Sequence, residues 1–303
     1  MSEIKARAEK SRGKKAAFGR DLNLEDFSRQ GGAWEYDPDY RQFSPEERSR
    51  LLTAGIELTD DDHAGTFLQA DKAIVHCQTR QPGVEVLPIT EAASRHDWVN
   101  DLLWGLVAVD ADKYTAAAEL ELDNGYFIRA LKGAQIAQPV ESCLYIRSDR
   151  FAQHVHNLVV VEEGASLHII TGCATHPGVI SGLHIGVSEF YVRAGGKLTF
   201  TMVHNWGAEV HVRPRTAVMV EAGGTYNKTF TIYNDSATAI TVDLSDQTLE
   251  LISAEEINYT VTREMRAAES VYGAANRDNF YKAFNYFIPI TATPLSSAMM
   301  ERM

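Results

Sequence analysis

Cysteine is scarce in this chain: three residues, at positions 77, 143 and 173, among 303. Thiols so few and so far apart do not make a disulfide framework, so a reducing cytoplasm is the expected location. No uncharged apolar run of about 18 residues occurs, which predicts no membrane association. The opening MSEIKARAEKSRGKKAAFGRD is charged throughout and offers no apolar centre for a secretory signal. Nothing reads as Gly-x4-Gly-Lys-Ser/Thr, so no nucleotide is expected to bind directly and any ATP-driven step falls to another subunit. An excess of positive charge is also lacking. The formal net charge is −12 and the pI about 5.3, which argues against a nucleic-acid partner, since such binding needs a cationic face to displace counterions. The one basic run, Lys5–Lys15, is interleaved with alanine and reads as the solvated face of an N-terminal helix.

What is present is an ordinary globular composition, 45% hydrophobic and 23% charged, enough for a sizeable core. Residues 1–113 read as helical and irregular. LNLEDFSRQ and SPEERSRLLTAGIEL each predict a helix, the second with Ser44 as N-cap and Pro45 in the first turn. In HDWVNDLLWGLV, Trp98, Leu102 and Leu106 recur at about one helical turn and face one core. Near residue 114 the period changes. AAAELELDNGYFIRAL is apolar on both sides of Asp123-Asn124-Gly125, a hairpin or tight-turn signal. Thereafter VVVEEGASLHII, YVRAGGKLTFTM and VMVEAGGTYNKTF resemble one another, with Gly164, Gly195 and Gly223 about thirty residues apart. A jelly roll gives similar local patterns; the period favours stacked rungs, a β-helix core over 114–250. Residues 251–303 predict a short C-terminal helical segment, opened by a capping box at Ser253 and Glu256 and carrying Phe280, Phe284 and Phe287 at helical spacing.

Seven of the ten histidines lie between His154 and His211, together with Cys173 and Glu189. A single strand histidine is usually solvent-facing or satisfied in a core. Stacked rungs, however, bring positions about thirty residues apart into contact. Cys173 has two readings: an inert small hydrophobe, or a thiolate stabilised by imidazoles, nucleophilic towards sulfur donors or a soft ligand for iron. Gly172 before it lets backbone bend or approach closely. A competing arrangement is His154-x-His156 with Glu162. It resembles the ligand set of cupins, in which alternate strand residues aim two rings at one divalent metal.

The strings EEGASLHIITGC, GLHIGVSEF and LTFTMVHNW resemble the core of the SufB/SufD family, especially its short archaeal-type members. KKAAFGRDLNLEDF, AGTFLQADKAIVHC and NGYFIRALKG extend the similarity over most of residues 5–226. The resemblance implies a mainly β fold, a right-handed parallel β-helix, acting as a scaffold rather than an enzyme in iron–sulfur cluster assembly. It implies a SufC-type ATPase, a sulfur donor and a second SufB/SufD-like protein as homo- or heterodimer partners, and a transient iron–sulfur cluster. Carried over by position, Cys173 is the sulfur acceptor or cluster ligand. His204 and Trp206 stand at the Gln and Trp of Gln-Asn-Trp, on a path through the β-helix, with His204 a second metal-site candidate. His184 and Glu189 match the Leu-His and downstream Glu positions, as further cluster-binding candidates. The chain departs from SufB in having no cysteine after Cys173 and in a tail unlike the family from about residue 228. That leaves open a non-catalytic, SufD-like structural role.

Overall fold

The structure is a computed structural model that describes residues 2–17, 20–58, 62–207, 209–232, 247–251 and 254–261. Two helices, α1 (Glu3–Lys10) and α2 (Pro45–Thr53), precede three strands, β1 (Gly65–Ala70), β2 (Ala73–Thr79) and β3 (Val84–Pro88). Helices α3 (Ile89–Arg95), α4 (Asp97–Leu102) and α5 (Lys113–Leu120) follow. From there the chain winds through strand pairs: β4 (Tyr126–Ala130) with β5 (Val140–Ile146), and β6 (Ala152–Val161) with β7 (Ser166–Thr175). Next come β8 (Ser181–Val192) with β9 (Lys197–Asn205), β10 (Glu209–Val220) with β11 (Gly224–Ile232), and β12 (Gln247–Leu251) with β13 (Ala254–Val261).

One sheet has the order β13-β11-β9-β7-β5-β1-β2 and the other β12-β10-β8-β6-β4-β3, so that from β4 onward odd- and even-numbered strands alternate between the two. The pairings from β4 to β12 and from β5 to β11 are parallel and in continuous register, for example Leu144↔Cys173↔His204 and Gln153↔His184↔Val212, and β11 pairs β13 in parallel with one shift after Gly224. The fold is therefore the mainly β, parallel solenoid that the repeat spacing predicts. Gly164, Gly195 and Gly223 all take φ near +65°, each at the corner between the two strands of a coil. A side chain disfavours that left-handed region, and this explains the repeat signal.

Alternation along each strand divides inside from outside. Val155, Val159, Leu144, Ile169, Phe190 and Phe200 fill the space between the sheets. Leu183, Ile185 and Val187 face outward under Tyr114, Ala117 and Ala118 of α5. Cys143, Tyr145 and Ala174 face outward under Leu51, Ala54 and Ile56.

Four local expectations need correction. Residues 113–120 form helix α5 rather than the first arm of a hairpin. Asp112 accepts from the N–H groups of Tyr114 and Thr115, and the following alanines favour helix. LNLEDFSRQ yields only a 3-10 turn, Leu24–Asp26, because Ser28 pairs with the solenoid at Phe151, its N–H donating to the Arg150 carbonyl at 2.7 Å. Residues 1–113 are not only helical and irregular, since β1 pairs with β5 and β3 with β4 at the start of the solenoid. Ala254–Val261 is a strand paired with β11, not the opening of a helix; the alternation of Ile257, Tyr259 and Val261 suits a pleat better than a helical stripe. The rest of the 251–303 expectation lies outside the described residues. The α2 start is as read, with Ser44 as N-cap and Pro45 in the first turn, and the structure adds a capping box in which Glu47 N–H donates to Ser44 Oγ at 3.2 Å and Ser44 N–H to Glu47 Oε2 at 2.9 Å.

Candidate functional site

The solenoid interior gathers part of the predicted constellation. Cys173 on β7 and His204 on β9 are register partners, so both side chains leave the same face of their sheet. His184 comes in from the facing sheet. The indole of Trp206 lies 5.0 Å from the His184 ring and 5.8 Å from the His204 ring, centroid to centroid. Both imidazoles are buried, and burial drives them towards the neutral form: His184 is pushed down to about 3 and His204 to about 4. Lys228, also inside and 5.7 Å from the centre of the Phe200 ring, is pushed down by burial to about 7.

Cys173 is 1% exposed and packed among the interior hydrophobes. Burial drives its thiol well above the usual range, so the resting protein holds it as a thiol, not a thiolate. Gly172 answers to packing. A Cβ there would stand 2.3 Å from Ile56 Cγ1 and 2.6 Å from the Ala54 carbonyl oxygen, so glycine lets residues 54–56 lie directly on β7. Gly172→Ala is expected to cost about 1–3 kcal/mol, read as a lower denaturation midpoint; an unmoved midpoint would show that this segment does not press on the strand. A second check concerns the thiols. Cys143, like Cys173, is buried with its thiol pushed well up. Neither should react with a disulfide reagent at pH 8 until the protein is unfolded, and fast labelling of Cys173 in the native protein would overturn its enclosure.

Glu189 does not belong to this group. It points outward from β8, where its carboxylate accepts the N–H groups of Trp104 (2.6 Å), Leu106 (2.6 Å) and Val107 (2.8 Å) and meets His156 Nε2 at 2.7 Å. α4 therefore ends at Leu102, with Trp104 at φ +62°, and the loop turns onto the solenoid wall. The cupin-like set does not assemble either. His154 and His156 share the outer face of β6, but His156 is taken by Glu189, and Glu162 pairs with Arg129 at 2.9 Å beyond the far end of the strand. Among the described residues, no three His, Cys, Asp or Glu side chains are grouped so as to hold a metal ion.

Sequence reading missed Gln153, Lys228 and a ladder of interior hydroxyls and amides. Ser142 Oγ and Thr171 Oγ1 are 2.6 Å apart, Tyr126 Oη lies 3.4 Å from Thr171 Oγ1, and Asn157 donates to Ser188 at 3.2 Å. Each stands at an inward alternate position, a signal usable only once the register is known. No helix among the described residues is long and apolar enough to cross a membrane.

A parallel two-sheet solenoid with this interior defines a class. Residues 144–249 match the family model described as SUF system FeS cluster assembly, SufBD core domain. The chain thus carries a SufBD core, and the SufB/SufD resemblance is borne out there. It is 42% identical over 226 residues, 73% of this chain and 55% of the relative, to an iron–sulfur cluster assembly SufBD family protein of Methanothermobacter thermautotrophicus. It is 45% identical over 188 residues, 62% of this chain and 50% of the relative, to a protein of the same description from Archaeoglobus fulgidus. To the iron–sulfur cluster assembly protein SufB of Bacillus subtilis it is 30% identical over 109 residues, 36% of this chain and 23% of that one. The chain spans about half the length of the archaeal relatives.

Proposed function

We propose that the chain is a cytoplasmic, non-enzymatic scaffold component of iron–sulfur cluster assembly that handles sulfur or iron inside its solenoid. A SufC-type ATPase supplies the work, and a SufB/SufD-like protein is its partner as homo- or heterodimer. The observation that carries this reading is the inward grouping of Cys173, His184, His204 and Trp206 within the matched core. Since the thiol is enclosed at rest, it accepts sulfur from a donor only when the coils part, which is the movement the ATPase would drive. The cluster is cargo, not a resident cofactor, and thiolates are its usual ligands. With no cysteine after Cys173 in this sequence, the remaining ligands come from histidine, carboxylate or a partner. The test is anaerobic incubation with a persulfide-bearing donor, the ATPase and ATP, followed by mass mapping of the thiols. Added sulfur on Cys173, dependent on ATP, is the expected result, and labelling that leaves Cys173 bare would end the acceptor assignment.

The enclosed thiol and the lack of a three-donor group among the described residues favour a second reading, a SufD-like structural partner. It predicts co-purification with the ATPase and no iron or sulfide retained after reconstitution.

A further inference from the structure

Gln153 is buried at the inner wall of β6, in register with His184. Its side-chain nitrogen lies 2.7 Å from the Asp71 carbonyl oxygen and 3.3 Å from that of Tyr145. Two carbonyls accept and cannot donate, so the amide NH2 must face them and the amide oxygen must face the other way. That oxygen lies 2.9 Å from His184 Nδ1. An amide oxygen only accepts, so Nδ1 carries the proton. Burial keeps the ring neutral, and a neutral imidazole protonated at Nδ1 has a lone pair at Nε2. Nε2 has no hydrogen-bond partner among the described residues. It lies over Gly186, where a Cβ would come within 2.7 Å. The facing indole adds the complementary group: Trp206 Nε1 is buried and likewise has no partner among the described residues.

We infer that Gln153 is a positioning residue that locks His184 as the Nδ1–H tautomer, so that Nε2 accepts a hydrogen bond from the S–H group of a small sulfur species inside the solenoid. The ligand half rests on the sulfur-handling reading above; the tautomer does not. No bond to sulfur forms or breaks in this step. The imidazole accepts a hydrogen bond, and the indole N–H is free to donate to the same sulfur. Glutamine suits the task because it donates to fixed backbone carbonyls on one side and accepts on the other. Leucine at this position would do neither.

The test is nitrogen NMR of the full chain labelled at histidine, with His184 assigned through His184→Gln. Native protein is expected to show His184 protonated at Nδ1 and bare at Nε2. Gln153→Leu is expected to lose that pattern. Native His184 protonated at Nε2, or a Leu variant with the native pattern, would overturn the assignment. Sodium sulfide added anaerobically at pH 7 should shift the Nε2 signal of native protein and not of Gln153→Leu. An unmoved native signal overturns the ligand half even where thiol mapping shows sulfur on Cys173. Should the Leu variant fail to fold, the native spectrum still decides the tautomer and its response to sulfide the ligand half.

Discussion

Replacing Glu189 by alanine is expected to lower unfolding stability by about 3–5 kcal/mol, the range for stripping one partner from a buried charge network. The side chain is 0% exposed and holds three backbone N–H groups and one imidazole within 2.8 Å. Water does not reach them, so removing the carboxylate leaves three buried donors unmet, each costing about 1–3 kcal/mol before relaxation. Glu189→Gln keeps one acceptor oxygen but turns an amide NH2 towards N–H groups, so an intermediate loss follows. Chemical denaturation of both variants measures this. Were Glu189 a cluster-binding residue instead, as its place in the motif implies, the variants would keep native stability and fail only in cluster retention. That outcome would defeat the structural role.

Acidification below pH 6.5 is expected to destabilise the protein steeply. His154, His184 and His204 are buried as neutral rings, pushed down to about 3, 3 and 4 by desolvation. In the unfolded chain they titrate near 6.5. The unfolded state therefore binds more protons below that value, and stability falls with pH. Each ring contributes about 1.4 kcal/mol per pH unit, about 4 kcal/mol per unit together, against a total stability on the order of 5–15 kcal/mol. The loss begins near pH 6.5 and runs to about pH 4, where the folded-state rings begin to titrate. At the alkaline end the buried thiols act in the opposite sense. Raised in the fold above about 8.5, they contribute stability below that pH and lose it above. Denaturation midpoints from pH 4.5 to 10 should trace a dome, with its top between the two limits. A flat profile between pH 6.5 and 5 would show that the rings are protonated in the native state.

The solenoid was legible because its signals are local. Three left-handed glycine corners and the alternation between them are visible without tertiary knowledge. The helical α5 was not, since its evidence is a cap at Asp112 and three alanines, overshadowed by the turn-like Asp123-Asn124-Gly125. The site was half legible. Motif strings point to Cys173, His184, His204 and Trp206, which do share the interior. Glu189 sits five residues after His184, an odd offset on a pleat, so it faces the other way; strand parity alone excluded it from the interior group. Gln153 carried no motif, because its significance comes from the Asp71 carbonyl, 82 residues away in sequence, and from the Tyr145 carbonyl on the preceding coil.

β8 is in effect a two-sided document. His184, Gly186 and Ser188 address whatever occupies the lumen, while Leu183, Val187 and Glu189 address the helical jacket. Substitutions on one set can retune chemistry, and on the other the fit of the coat, without a residue in common. A screen sorted by odd and even positions along this single strand would separate folding defects from transfer defects before any partner is added.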